Sequence, residues 1–296
     1  MRLSIRPEYV NEYECRYRCV YPKDDHNYLA GNWSALPTNV PTQPPCDVFE
    51  VEGNKKGNDT DLYRELYYQI YRQPINITQE TKGYGVHILL VDSTSHSNFL
   101  RAAPRFTHLL REEYEAIPFP HLNKVGLNSM PNAFAFLMGK QSEDMPASPI
   151  NNETIKADVG FDFSCRCHVP LDNETSSIVH QFRELGYKTM WAEDWAISTY
   201  NWPTCIGYSK PPADHNFKPF TLRTDFWSEN SAFGWPHKNA EYYFTSYQQD
   251  HCREYYQVLL DYLEQFLRFY DDVEQKLSLT WVRNFGKLDI ATLGIC

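Results

Sequence analysis

The sequence predicts an α/β protein built on a central, mostly parallel sheet flanked by helices. Three stretches carry that prediction. Val86–Asp92 (VHILLVD) is a short run of mostly branched apolar residues ending in a carboxylate, the composition of a strand buried on both faces. Ser176–Leu185 reads as a helix stopped by Gly186, and it runs straight into a strand candidate, Tyr187–Ala192. Glu254–Lys276 reads as a long amphipathic helix, with Leu259, Leu263, Phe266, Tyr270 and Val273 on one stripe, and leads into the strand-like Leu277–Val282.

The elements divide into two segments. Residues 1–80 hold three cysteines, eight prolines and glycines between Pro22 and Gly57, and many tyrosines, which predicts a loop-rich, stapled segment. It closes with Asp61–Arg72 (DLYRELYYQIYR), read as a helix behind a Thr60 cap because Leu62, Leu66 and Ile70 recur at helical spacing. Residues 81–296 form the α/β domain. After its first strand, Pro104–Glu113 reads as a helix, and so does Ser129–Met138, with Pro131 in the first turn and Gly139 at the end.

Composition excludes several classes. With 28 Lys+Arg against 38 Asp+Glu the net charge is −10, which argues against a nucleic-acid partner. An apolar fraction of 42% with 7 Trp, 21 Tyr and 17 Phe is globular and far from a disordered chain. Neither Ile88–Val91 nor Ala133–Met138 approaches the roughly 18–20 apolar residues of a membrane span, so no transmembrane segment is expected. The opening residues lack the apolar core of a secretory signal. Against a cytosolic reading stand eight cysteines without paired C-x-x-C spacing and five N-x-[ST] acceptors, at Asn32, Asn58, Asn76, Asn152 and Asn173. These favour disulfides, glycans and an extracellular or secretory location.

Two residues stand where chemistry is expected. Asp92 ends the first strong strand, and ligands of open parallel sheets bind beyond the carboxyl ends of the strands. A carboxylate there suits a divalent metal, or it caps the turn through Asp92-Ser93-Thr94-Ser95. Ser129 opens a helix, where free N–H groups and the dipole attract anions. It is either a nucleophile toward a bound phosphoryl or sulfuryl group or a plain helix cap. Cys165-x-Cys167-His168 is the other metal candidate, but three near-adjacent residues do not easily surround one ion, and disulfides are the better reading.

Four blocks then stand out: VHILLVDSTSHSNFLRAAPRFTHLL, KVGLNSMPNAFAFLMGK, FRELGYKTMWAEDW and IGYSKPPADHNFKPF. Together with ECRYRC and CDVFEVEG near the N-terminus, they resemble, in order and approximate spacing, a large invertebrate family of secreted or membrane-anchored proteins of unknown function. That family lies within the alkaline phosphatase and sulfatase superfamily. The resemblance implies an alkaline-phosphatase-like sheet between helices, with a metal-assisted site for phosphate or sulfate esters at the strand ends. It places Asp92 on the first-strand metal ligand and Ser129 on the metal-bound nucleophile, with Zn, Mn or Ca as the divalent cofactor of a complete relative. Asn132 falls where the superfamily often contacts the bound ester. Glu193 and Asp194, after the "GY-x-T" segment, read as solvated loop carboxylates.

The sequence departs from the family pattern at several points. His96 stands where the family usually has Arg, and Ser129 where Thr is commoner. The Asp-His-Gly triplet that completes the superfamily's metal site does not occur, and neither Asp214-His215 nor Asp250-His251 follows a strand signal. Leu277–Val282 runs instead into RNFGKLDIATLGIC. The expectation is an α/β domain incomplete at its C-terminus and an ester site without turnover. A non-catalytic secreted glycoprotein module is the alternative, and a thiol or zinc protein a weaker third.

Overall fold

The structure, a computed structural model, describes residues 1–72, 83–147, 150, 152–158, 170–174, 177–195, 205–224 and 254–283. The Cys165–His168 cluster, Asp250-His251, Asn76 and the segment after Arg283 lie outside the described residues.

Two sheets organise these residues. The first is antiparallel and comprises β1 (Tyr13–Pro22), β2 (Tyr28–Ala30), β3 (Ser34–Ala35), β4 (Val48–Lys55) and β5 (Asn58–Tyr68), in the order β2-β1-β4-β5 with β3 also on β1. The N-terminal segment is therefore sheet rather than loop, and the helix expected over Asp61–Arg72 is strand β5 for most of its length. The cause lies in the spacing itself: four is an even number, so Leu62, Leu66 and Ile70 share a face in a strand as well as in a helix. Residues at every second position, Leu66, Tyr68 and Ile70, are all buried. The tyrosines favour the pleated form, and β5 pairs with β4 from Val48↔Tyr68 to Asn54↔Leu62. Lys56 and Gly57 make the connecting turn, where the φ of +79° at Gly57 is one that a side chain disfavours. A Cys19–Cys46 disulfide ties β1 to the approach to β4.

The second sheet is wholly parallel, in the order β6 (Val86–Val91), β9 (Lys276–Val282), β7 (Lys188–Glu193), β8 (His215–Asn216). The parallel α/β architecture expected from the sequence is present. Helices α1 (His96–Ala102), α2 (Pro104–Glu112) and α3 (Ser129–Met138) follow β6. Two more, α4 (Leu171–Glu174) and α5 (Ile178–Glu184), precede β7. Next come α6 (Lys218–Thr224) and α7 (Tyr255–Phe269); the last is shorter than the helix expected over Glu254–Lys276, because the chain turns at Tyr270.

Alternation along the parallel strands separates two cores. Trp191, Leu277, Leu279 and Trp281 face α3 and α5, packing with Phe134, Leu137 and Val179. Met190 and Ala192 face the other way, onto Phe217 just before α6, Phe220 within it, and Leu259, Tyr262 and Phe266 of α7. These two helices also pack on Val20, Val48, Leu66 and Tyr68 of the antiparallel sheet, so they form the layer between the sheets. A polar chain crosses the same layer. Asp47 accepts from Tyr262 Oη (2.9 Å) and His215 Nδ1 (2.7 Å), and His215 Nε2 lies in hydrogen-bond contact with Tyr270 Oη (2.8 Å). The carboxylate only accepts, so Nδ1 carries a hydrogen. Burial and the nearby Asp47 charge push the Tyr270 phenol up to about 12.

Candidate ester site at the carboxyl end of the parallel sheet

Strand β6 delivers Asp92 directly past its last residue. Register holds it there: Val91 pairs with Val282, and Asp92 N–H continues the ladder onto Val282 O at 2.8 Å. Ser93 follows with a φ of +56°, and its N–H bonds back to Asp92 Oδ1 at 2.6 Å. The tight turn expected of Asp92 is therefore present, and it uses only one of the two carboxylate oxygens.

The other oxygen reaches across the sheet end. Asp92 Oδ2 accepts from Ser129 Oγ at 2.7 Å and from Trp281 Nε1 at 3.0 Å. Ser129 is the first residue of α3, whose N-cap is Asn128 without a side-chain cap bond. A capping serine would turn its oxygen to its own helix; this one donates its hydrogen bond to a residue 37 positions earlier. The start of α3 is also fixed from below, by burial of Met130, Ala133, Phe134 and Leu137, and from its far end by Gly139 in the left-handed conformation.

Asn132 lies one turn along α3, and its carboxamide faces the preceding loop. Its Oδ1 accepts from Val125 N (2.8 Å) and Gly126 N (3.4 Å), while Nδ2 donates to Gly126 O (3.0 Å) and Asn128 O (2.6 Å). Both polar atoms of Asn132 are thus engaged in shaping residues 125–128.

The neighbouring strand ends correct the reading of Glu193 and Asp194. Both are buried rather than solvated. Glu193 Oε1 accepts from Trp191 Nε1 at 2.6 Å, and the Asp194 carboxylate accepts from Arg283 N at 2.8 and 2.9 Å. The Arg283 guanidinium lies 3.4 Å from the Trp195 ring centroid. Trp281 is the partner that sequence reading missed. Its signal was the period-two series Leu277, Leu279, Trp281, which puts the indole on the face of Ser129.

Asp214-His215 does not follow a strand: His215 opens β8, and the preceding strand, β7, ends at Glu193. Its direction is wrong for this site. Asp214 Oδ2 accepts from Thr189 N and Oγ1, both at 3.0 Å, at the amino end of β7, and His215 is held by Asp47 and Tyr270. Among the described residues no group of three or more His, Cys, Asp and Glu comes together as metal ligands. None of the described helices is long and apolar enough to cross a membrane.

The family described as Protein of unknown function (DUF229) matches residues 2–295. The chain belongs to DUF229. No curated protein and no solved structure matches it. The Asp92–Ser129–Trp281 arrangement is accordingly the local chemistry from which a function for this DUF229 chain has to be argued.

Proposed function

We propose that this DUF229 chain is a binding protein for phosphate or sulfate esters, built on the alkaline phosphatase and sulfatase plan that its sequence resembles, with Ser129 meeting the ester and Asp92 positioning Ser129. One observation carries the reading: the 2.7 Å Ser129–Asp92 bond at the junction of a parallel strand end and a helix start. Both are places where oxyanions and their ligands bind.

The resident metal of that superfamily does not fit the described residues. The Asp92 carboxylate already accepts four hydrogen bonds, two from Ser93 and one each from Ser129 and Trp281. A catalytic zinc takes three protein ligands, and here one carboxylate and one hydroxyl are all that meet. A lone carboxylate is also too weak a base to deprotonate a serine hydroxyl. No hydrolytic step is therefore assigned to Asp92 and Ser129, and binding without turnover is the expected behaviour. This is where the hydrolase and the non-catalytic module meet: the same pair serves either, and the ligand set decides between them. The Cys19–Cys46 disulfide and the exposed sequons Asn32 and Asn152 support an oxidising, secretory setting.

The test is calorimetric titration of inorganic phosphate and sulfate into wild-type and Ser129→Ala protein, beside nitrophenyl ester turnover with added Zn or Mn. Anion binding lost in the variant, without turnover, supports the proposal. Absence of binding overturns it, and turnover abolished by Ser129→Ala replaces it with an active hydrolase whose further ligands lie outside the described residues.

A further inference from the structure

The face of the antiparallel sheet that carries Val20 and Val48 into the core carries charge further along the same strands. Register sets Arg18 opposite Glu50 and Arg16 opposite Glu52. Arg18 Nε donates to Glu50 Oε2 at 2.5 Å, and Arg16 donates to Glu52 Oε2 through Nε (2.9 Å) and Nη2 (2.6 Å). Each carboxylate also meets a second arginine, Glu50 pairing with Arg223 and Glu52 with Arg64. The glutamates are neutralised, but neither Arg16 nor Arg18 has a carboxylate to itself.

These pairs leave donors over. Arg16 Nη1 and both terminal nitrogens of Arg18 have no acceptor among the described residues. Trp33 joins them, since both guanidinium groups lie 4.5 Å from its ring centroid and its indole N–H has no acceptor among the described residues either. All three reach solvent: the Arg16 and Arg18 side chains are 49% and 25% exposed, and Trp33 is half-buried. Buried Glu50 and Glu52 anchor the two guanidinium groups while the indole stacks on both, so the arrangement exists before any ligand arrives. A preorganised set of cationic N–H donors without acceptors suits an oxyanion.

We infer that the Arg16–Arg18–Trp33 patch binds a sulfate or phosphate group, free or carried on an ester. The two arginines stand two residues apart on one face of β1, a separation of roughly 7 Å. A tetrahedral anion offers oxygens to both, whereas a carboxylate spends its two oxygens on one guanidinium fork. In a chain of net charge −10 the patch is a local concentration of positive charge, opposed by Glu14, which is exposed on the same face two residues before Arg16. The site is independent of Ser129 and stands or falls without it.

The experiment titrates nitrogen-15-labelled protein with sodium sulfate, methyl sulfate, methyl phosphate and sodium acetate at constant ionic strength, and follows the Trp33 indole N–H by nuclear magnetic resonance. Loss of that signal in Trp33→Phe identifies it. Sulfate should shift it saturably, in wild type and Ser129→Ala protein alike. Arg16→Gln should weaken sulfate at least about tenfold, and Glu14→Gln should tighten it. Glu52 keeps Arg64 in the Arg16 variant, and an otherwise unchanged spectrum checks its fold. Binding of the methyl esters beside sulfate supports the site and points to an ester as the source; sulfate alone supports it and points to the free ion. A shift that does not saturate, or that chloride reproduces, would overturn the inference as simple screening. Acetate binding as tightly as sulfate would overturn the tetrahedral class. Unchanged affinity in both Arg16→Gln and Glu14→Gln would also overturn it, and a response abolished by Ser129→Ala would move the anion to Ser129.

Discussion

The two sheets handle polar groups in opposite ways. In the antiparallel sheet the charged side chains are driven inward and neutralised. Glu50 and Glu52 are almost completely buried, Glu50 paired with Arg18 and Arg223, and Glu52 with Arg16 and Arg64. Arg16 and Arg18 both stack on Trp33, each 4.5 Å from its ring centroid. At the carboxyl end of the parallel sheet, Asp92 and Ser129 are instead only half-buried, and the adjoining loop leaves its apolar residues in solvent. The first region uses charge to lock strands to one another and to α6. The second leaves polar and apolar groups where another molecule reaches them, a pattern expected of a binding surface rather than of a core.

The sharpest way to break this comparison is to remove one buried charge. Glu50→Gln leaves the Arg18 and Arg223 guanidinium groups without their counter-charge, and breaking a buried pair from one side typically costs about 3–5 kcal/mol. Urea denaturation should show a loss of that order. A loss below about 1 kcal/mol would mean that water reaches the network and that the antiparallel sheet is not locked by charge.

Opening the Cys19–Cys46 disulfide should come next. It closes a loop over a sequence separation of 27, for which chain entropy predicts about 3–4 kcal/mol. Thermal melts of Cys19→Ala/Cys46→Ala protein should report it, with the loss confined to the sheet that the bridge spans.

Ser129→Ala should cost far less stability, about 1 kcal/mol or under, because Asp92 keeps its bonds from Ser93 and Trp281. A small stability cost beside a large loss of anion affinity is the signature of a functional residue. The reverse outcome, a costly change that leaves phosphate binding intact, would turn the Ser129–Asp92 bond into an ordinary brace between β6 and α3.

The same contrast explains what could be read from the sequence. Strand β6 and helix α3 were legible because each carries a local signal: a branched apolar run, and a proline and glycine bracketing a helix. Asp92 and Ser129 were legible because strand ends and helix starts are positions that a sequence marks. The antiparallel sheet was not. Leu62, Leu66 and Ile70 fit both periods, and what decides for a strand is pairing with β4, which no local pattern displays. Glu193 and Asp194 were misread because no local pattern displays their partners: the Trp191 indole two residues back on β7, and the Arg283 backbone 89 positions further along the chain.

The smallest expected effect is a pH dependence, and it also falls on the parallel side. His87 on β6 bonds Ser278 Oγ of β9 through Nδ1 at 2.8 Å, and burial, followed by the Lys276 charge, holds its pKa below the usual histidine value. His180 on α5 is lowered by burial and then by Arg183. For a base whose folded pKa is depressed, both states are neutral above about 6.5. As pH falls below that value the unfolded chain takes up the proton first, so stability is present above it and declines as pH drops toward the folded pKa. Lowering the pH from 7 to 5 should therefore weaken β6 and its contact with β9. Amide exchange read strand by strand at the two pH values should show faster opening of β6 and unchanged protection of β4. His87→Gln, which cannot charge, should remove the part of the loss that belongs to β6. Equal acceleration of β4 and β6, unaffected by the substitution, would show that the pH response does not belong to His87.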